Sequence, residues 1–189
     1  MKNLIALSIM LSIQSSQAFA ATDYQVNTDL SSVSFATIKN QYIVEPSVIN
    51  TLSGNLDETG SFNILVDLKG LRTGIPIRDT RLNELFFDTV SFPSIEVKGK
   101  VDIDLVEAEP QKLDIPVDVT MYGNTKTLLF PVIVFKQENT MMISSYLPVI
   151  VKASDFNIPS DNLTKLAATV GGISISDSVP INLSLIFKK

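Results

Sequence analysis

The chain has 189 residues, with 15 Lys and Arg against 20 Asp and Glu, a formal net charge of -5, and no Cys, His or Trp. Without imidazole or thiol, a Ser-His-Asp or Cys-His nucleophile, a zinc site built from its usual ligands and a disulfide framework are all excluded. The 45% hydrophobic content suits one globular domain with a sizeable core, and an acidic balance with no run of Lys or Arg argues against a nucleic-acid partner and against docking on anionic lipid.

Residues 1–20 stand apart from the fold. Lys2 supplies one positive charge, residues 4–13 are apolar except for Ser8 and Ser12, and a polar stretch leads to Ala18-Phe19-Ala20. That is the order of a secretory signal peptide with a small-x-small cleavage site, so cleavage is expected after Ala20. The apolar run is half the roughly 20 residues that a spanning helix needs. No Cys lies near the cleavage site to carry a lipid, so the product is expected to be free, soluble and without an integral membrane segment. Removing Lys2 and no acid leaves 14 basic against 20 acidic residues over 21–189, a net charge of -6.

From there the chain reads as strands almost to its end. Candidates open at 33–37 and 48–55, followed by the turn signal Asp57-Glu58-Thr59-Gly60. Phe62, Ile64, Val66 and Leu68 then alternate with Ser61, Asn63 and Asp67, although Leu65 breaks the polar side. The Leu71-Arg72-Thr73 segment between Gly70 and Gly74 is a turn, since no GKS or GKT follows to make a phosphate loop. Residues 78–87 place Leu82, Leu85 and Phe86 at i, i+3 and i+4 and predict a short amphipathic helix bounded by Pro76 and Pro93, with Asp79 as its N-cap.

The clearest strand is 94–105, where Ile95, Val97, Gly99, Val101, Ile103 and Leu105 alternate with polar residues. A strand of about twelve residues is about 40 Å long, and a tilt near 40° leaves about 30 Å of barrel height, which suits an extended hydrocarbon chain. Leu113, Ile115, Val117, Val119 and Met121 repeat the pattern. Gly123-Asn124 marks a turn before a strand at 126–135, residues 137–140 mark another before 141–151, and Val179, Ile181, Leu183, Leu185 and Phe187 close the chain. Within 157–178, Pro159-Ser160-Asp161-Asn162 opens a helical turn through Leu163, Leu166 and Ala167, ended by Gly171-Gly172. Asn162-Leu163-Thr164 is formally a glycosylation sequon, a short pattern that carries little weight.

Asp102 with Asp104, and Asp114 with Asp118, have the spacing of a hard-cation site or an acid/base pair. They lie on the polar faces of alternating strands, where solvated carboxylates are the ordinary outcome, and no metal site or catalytic set is assigned. The adjacent Met141 and Met142 point to opposite faces, so at most one lines the interior. About eight antiparallel strands in one domain form a barrel or a sandwich. A closed barrel of that size is filled by its own side chains or holds one small ligand. Ten Phe against four Tyr and no Trp favour an apolar ligand over a sugar. Alternation and helical spacing select Phe35, Phe62, Ile64, Val66, Leu82, Leu85, Phe86, Phe130 and Val132 as the candidate interior.

Several segments resemble one family in order. Thr73-Gly74, then Ile77-Arg78-Asp79-Thr80-Arg81-Leu82-Asn83-Glu84-Leu85-Phe86-Phe87-Asp88, then Ser91-Phe92-Pro93-Ser94-Ile95, is similar to the signature of the YceI-like family. Tyr24 and Ser32-Val33-Ser34-Phe35 resemble its opening strands, Thr120-Met121-Tyr122-Gly123-Asn124-Thr125-Lys126 a hairpin, Ser154-Asp155-Phe156-Asn157-Ile158 its Ser-Asp-Phe-Gly-Ile, and Ile175-Ser176-Asp177-Ser178-Val179 the entry to the last strand. The resemblance implies an extended, lipocalin-like, eight-stranded antiparallel barrel with one or two short helices. It also implies a periplasmic location and a carrier role for a polyisoprenoid lipid or prenylated quinone, with no enzyme chemistry.

The chain departs from that family in lacking the His that many relatives carry around the first strand pair and at the helix position of Arg81. A pyrophosphate head would want cations at the barrel mouth, and Arg72, Arg78 and Arg81 are the candidates. The other reading pairs Arg78 with a nearby carboxylate and puts Arg81 on a solvated helix face. Two functions stand: an exported protein, monomer or homodimer, that holds an isoprenoid or similar apolar chain, and a ligand-free periplasmic module whose barrel is filled by side chains.

Overall fold

The computed structural model describes residues 23–103, 106 and 109–189. The leader expected at 1–20, together with Asp104 and Leu105, lies outside them. Twelve strands among the described residues join in one sheet: β1 (Tyr24–Val26), β2 (Ser32–Lys39), β3 (Ile43–Ile49), β4 (Leu52–Leu56), β5 (Ser61–Asp67), β6 (Leu71–Arg72), β7 (Ser94–Lys100), β8 (Gln111–Met121), β9 (Asn124–Gln137), β10 (Thr140–Ser145), β11 (Val149–Lys152) and β12 (Ser178–Lys188). Four couples are single runs broken by a kink, because the two members of each lie in succession along the same neighbouring strand or run. β12 pairs with β1 and β2 along one edge and with β10 and β11 along the other. Likewise β3 and β4 face β2 and β1 on one side and β6 and β5 on the other. Counted as runs, the sheet is an eight-stranded antiparallel up-and-down barrel, closed where β12 meets β1 and β2.

Closure gives every strand an inside and an outside. The long strands show it directly. On β8, Ile115, Val117, Val119 and Met121 are buried while Lys112, Asp114, Pro116 and Asp118 are exposed. Where β8 returns as β9, Tyr122 and Gly123 both take positive φ, 52° and 73°, the backbone of a two-residue hairpin whose twist matches the strands. The Phe92 ring, 4.2 Å from that of Tyr122, packs over this turn.

The two ends of the barrel differ. One is plugged by Tyr24, Leu56, Val134, Met141 and Phe187, none more than 4% exposed. At the other end the ladders stop short: β7 begins opposite Asp67, beyond which β6 pairs with β3, and β9 meets β10 only from Val132 onward. Helical segments fill these openings. Helix α1 (Pro76–Arg81) continues into a π turn (Leu82–Phe86), and α2 (Ser160–Ala168) packs against it. Asn162 Nδ2 ties the two by donating to the Phe86 carbonyl at 2.9 Å. The stretch after α2 docks on β2, with Asn40 N donating to Ser174 O and Ser176 N to Ile38 O.

Several expectations are corrected. The strand expected over 94–105 ends at Lys100, whose ladder partner Ser61 is the first residue of β5. Val101 N instead bonds to Gly60 O, and the chain turns beneath the Asp57–Gly60 bend. The strand expected at 48–55 is broken at Thr51, which accepts from Asp67 N and donates its hydroxyl to Asp67 O at 2.6 Å. That over 141–151 is broken before Pro148, where Tyr146 N turns to Pro131 O. Asp79 is not an N-cap. It sits one turn inside α1, where Oδ1 accepts from Thr73 N and Thr73 Oγ1 and fastens the helix to the strand before it.

Candidate functional site

Inside the barrel lies a cavity of about 190 Å³. Its walls are the inward rows of the strands: Val33 and Phe35 on β2, Phe62, Ile64 and Val66 on β5, Ile95 and Val97 on β7, the buried row of β8, and Phe130 and Val132 on β9. Phe62 and Phe187 are the lining residues nearest the plugged end. Leu82, Phe86 and Phe87 from the π turn and Leu163 and Leu166 from α2 cover the other. The polar residues of the lining are Thr37, Ser176 and Asp177, and all three belong to the helical end. An apolar wall with a few polar groups at one end suits a ligand that is apolar along its length.

Eight of the nine residues expected inside do line the cavity: Phe35, Phe62, Ile64, Val66, Leu82, Phe86, Phe130 and Val132. The ninth, Leu85, is replaced by Phe87. An α-helix repeats every 3.6 residues and would put Leu82, Leu85 and Phe86 on one stripe. Here Phe87 N bonds to Leu82 O at 2.9 Å, an i to i+5 bond that widens the turn and carries Phe87 onto the stripe. Phe86 and Phe87 meet edge to face with ring centroids 4.8 Å apart, a favoured aromatic geometry. Sequence reasoning also missed Leu163 and Leu166, whose helical spacing was visible but whose target was not. Met141 is fully buried and Met142 is 40% exposed, as expected of adjacent strand residues. Asn162 is 7% exposed with its amide engaged, so the sequon is not presented to solvent.

None of the three arginines is among the residues lining the cavity. Arg72 donates to the Lys69 and Leu71 carbonyls at 2.9 and 2.7 Å. Arg81 is half-buried at the end of α1. Arg78 Nη2 meets Glu45 Oε1 at 2.8 Å, and Lys39 Nζ bridges to Oε2 of the same carboxylate. Glu45 and Lys39 project inward on β3 and β2 next to Thr37, so this trio forms the polar rim at the helical end. The hydrogen bond from Lys39 and the Arg78 guanidinium hold the Glu45 carboxyl below its ordinary 4.5, against the effect of burial.

Of the carboxylates considered for chemistry, Asp114 accepts from Tyr146 OH at 3.3 Å and Asp118 from Thr127 Oγ1 at 2.6 Å, both on the outer wall. Among the described residues no three acidic side chains converge as metal ligands.

The model of the YceI-like domain matches residues 24–187. Among solved structures, a polyisoprenoid binding domain from Saccharophagus degradans, implicated in plant cell wall breakdown, is similar at 21% identity over 87% of this chain and 97% of that one, with a TM-score of 0.82. BcnA of Burkholderia cenocepacia matches at 18% identity over 85% and 98% of the two chains, with a TM-score of 0.65. A YCEI protein of Campylobacter jejuni matches at 14% identity over 72% and 82%, with a TM-score of 0.51. None of the curated protein sequences compared with it matches the chain.

Proposed function

The chain belongs to the YceI-like family, and we propose that it is an exported carrier that takes the chain of an isoprenoid lipid into its barrel and performs no reaction on it. The observation that carries this reading is the cavity, apolar from plug to helices and lined by polar side chains at one end. Its relative from Saccharophagus degradans is described as polyisoprenoid binding, which supports the same class of ligand. The alternative, a barrel filled by its own side chains, fits less well with a cavity of about 190 Å³, since an apolar cavity of about 150 Å³ already admits benzene. That volume is below the roughly 300 Å³ at which pockets for drug-sized ligands begin. A long chain therefore seats one end in the barrel and leaves through the helical end, where α1, the π turn and α2 close the opening. Holding and releasing, not catalysis, is the task we assign to it.

Native mass spectrometry of protein purified from its own source, with organic extraction of what accompanies it, tests both parts. The expected result is a polypeptide beginning at Ala21, recovered from the periplasm with an added apolar mass. A chain retaining Met1 in the cytoplasm would contradict export. Repeated absence of lipid, with no uptake of prenyl lipids offered in solution, would contradict carriage.

A further inference from the structure

Gly99 is the penultimate residue of β7, on the inward row between Val97 and Val101, which follows the strand, and its φ is not in the left-handed region that calls for glycine. Its backbone would accept any residue. What excludes a side chain is the Phe62 ring, since a Cβ added at Gly99 would lie 2.4 Å from Phe62 Cζ and 3.0 Å from Cε1. The two are direct cross-strand partners. The tip of the Phe62 ring thus rests against the glycine on the barrel wall. On its other side its partner is Leu56, fully buried in the plug. Phe62 is the lowest cavity-lining residue of β5, and beneath it Leu56 and Val101, 0% and 3% exposed, fill the barrel.

From this arrangement we propose that Phe62, seated on Gly99, is the floor of the cavity and sets how deep an apolar chain reaches, and so how many of its carbons the barrel buries. The proposal rests on the carrier reading above and adds to it a determinant of the buried length. With the ring against the wall, the cavity reaches its full depth. A methyl group at Gly99 would push the ring away from β7, and with the plug packed on the far side, the direction open to it is the cavity. Removing the ring would extend the cavity downward.

Geraniol, farnesol and geranylgeraniol form a series of prenyl alcohols that differ by one isoprene unit each, and their affinities for wild type, Phe62→Ala and Gly99→Ala test the proposal. Phe62→Ala is expected to move the preference toward the longer alcohols, by about fourfold in the ratio of affinities for each methylene newly buried. Gly99→Ala is expected to move it toward the shorter ones. If Gly99→Ala does not fold, the double variant Phe62→Ala/Gly99→Ala relieves the clash and is expected to prefer the longer chain. Variants with wild-type circular dichroism and an unchanged order of affinities would overturn the floor assignment while leaving the carrier reading intact. A wild-type protein that binds none of the three alcohols would overturn both.

Discussion

At the scale of single residues, Glu45 carries more of the rim than any other group. One carboxylate answers two cations, Lys39 and Arg78, whose side chains are only 14% and 21% exposed, so neither cation is fully solvated if the carboxylate is lost. Glu45→Gln keeps the shape and removes the charge, and is expected to cost about 1 to 2 kcal/mol at neutral pH. The pH dependence has a definite sign. Because the folded-state pKa is lowered from 4.5, ionised Glu45 stabilises the fold above pH 4.5, and that contribution fades as the pH falls through the lowered value. Melting curves of wild type and Glu45→Gln should therefore differ most near pH 7 and converge below pH 4.5; a difference independent of pH would contradict the pairing. Pairing of Arg78 was a foreseeable alternative to head-group binding, but its partner lies 33 residues away on β3. No local spacing could have pointed to it.

At the scale of elements, the segment after α1 decides which side chains meet the cavity. Its π turn exchanges Leu85 for Phe87, which is 9% exposed. Phe87→Ala should therefore cost about 3 kcal/mol or more, and Leu85→Ala about 1 kcal/mol, as measured by chemical denaturation. The reverse order would mean that the segment keeps a regular α-helical repeat. Strand faces were readable because a period of two leaves a mark in every residue of a half-buried strand, as on β8 and β12. Strand ends were less readable. Apolar alternation ran on through Val101 and Ile103 after the ladder had lost its partner, and across Thr51, where the break is made by bonds to Asp67. The π turn left no mark either, since Leu82, Leu85 and Phe86 also satisfy the α-helical pattern.

At the scale of the whole molecule, the eight runs, the plug and the helical cover make one container with a sealed end. The number of runs was legible because turn signals separate them, and the family's ordered motifs supplied the closure that alternation alone left open between barrel and sandwich. The interior was legible for the same reason as the strands. The cover was not, because which helix packs over which opening depends on where ladders stop, as where β7 starts opposite Asp67. The central claim is that this container holds an apolar chain, and thermal unfolding of the purified protein against increasing farnesol tests it most directly. A ligand bound only by the folded state adds about 2.7 kcal/mol at a hundredfold excess over its Kd, which for a domain of this size raises Tm by about 5 to 10 °C. A Tm that rises with farnesol concentration to that extent is the predicted result, and a Tm that stays fixed across the whole titration would contradict the account.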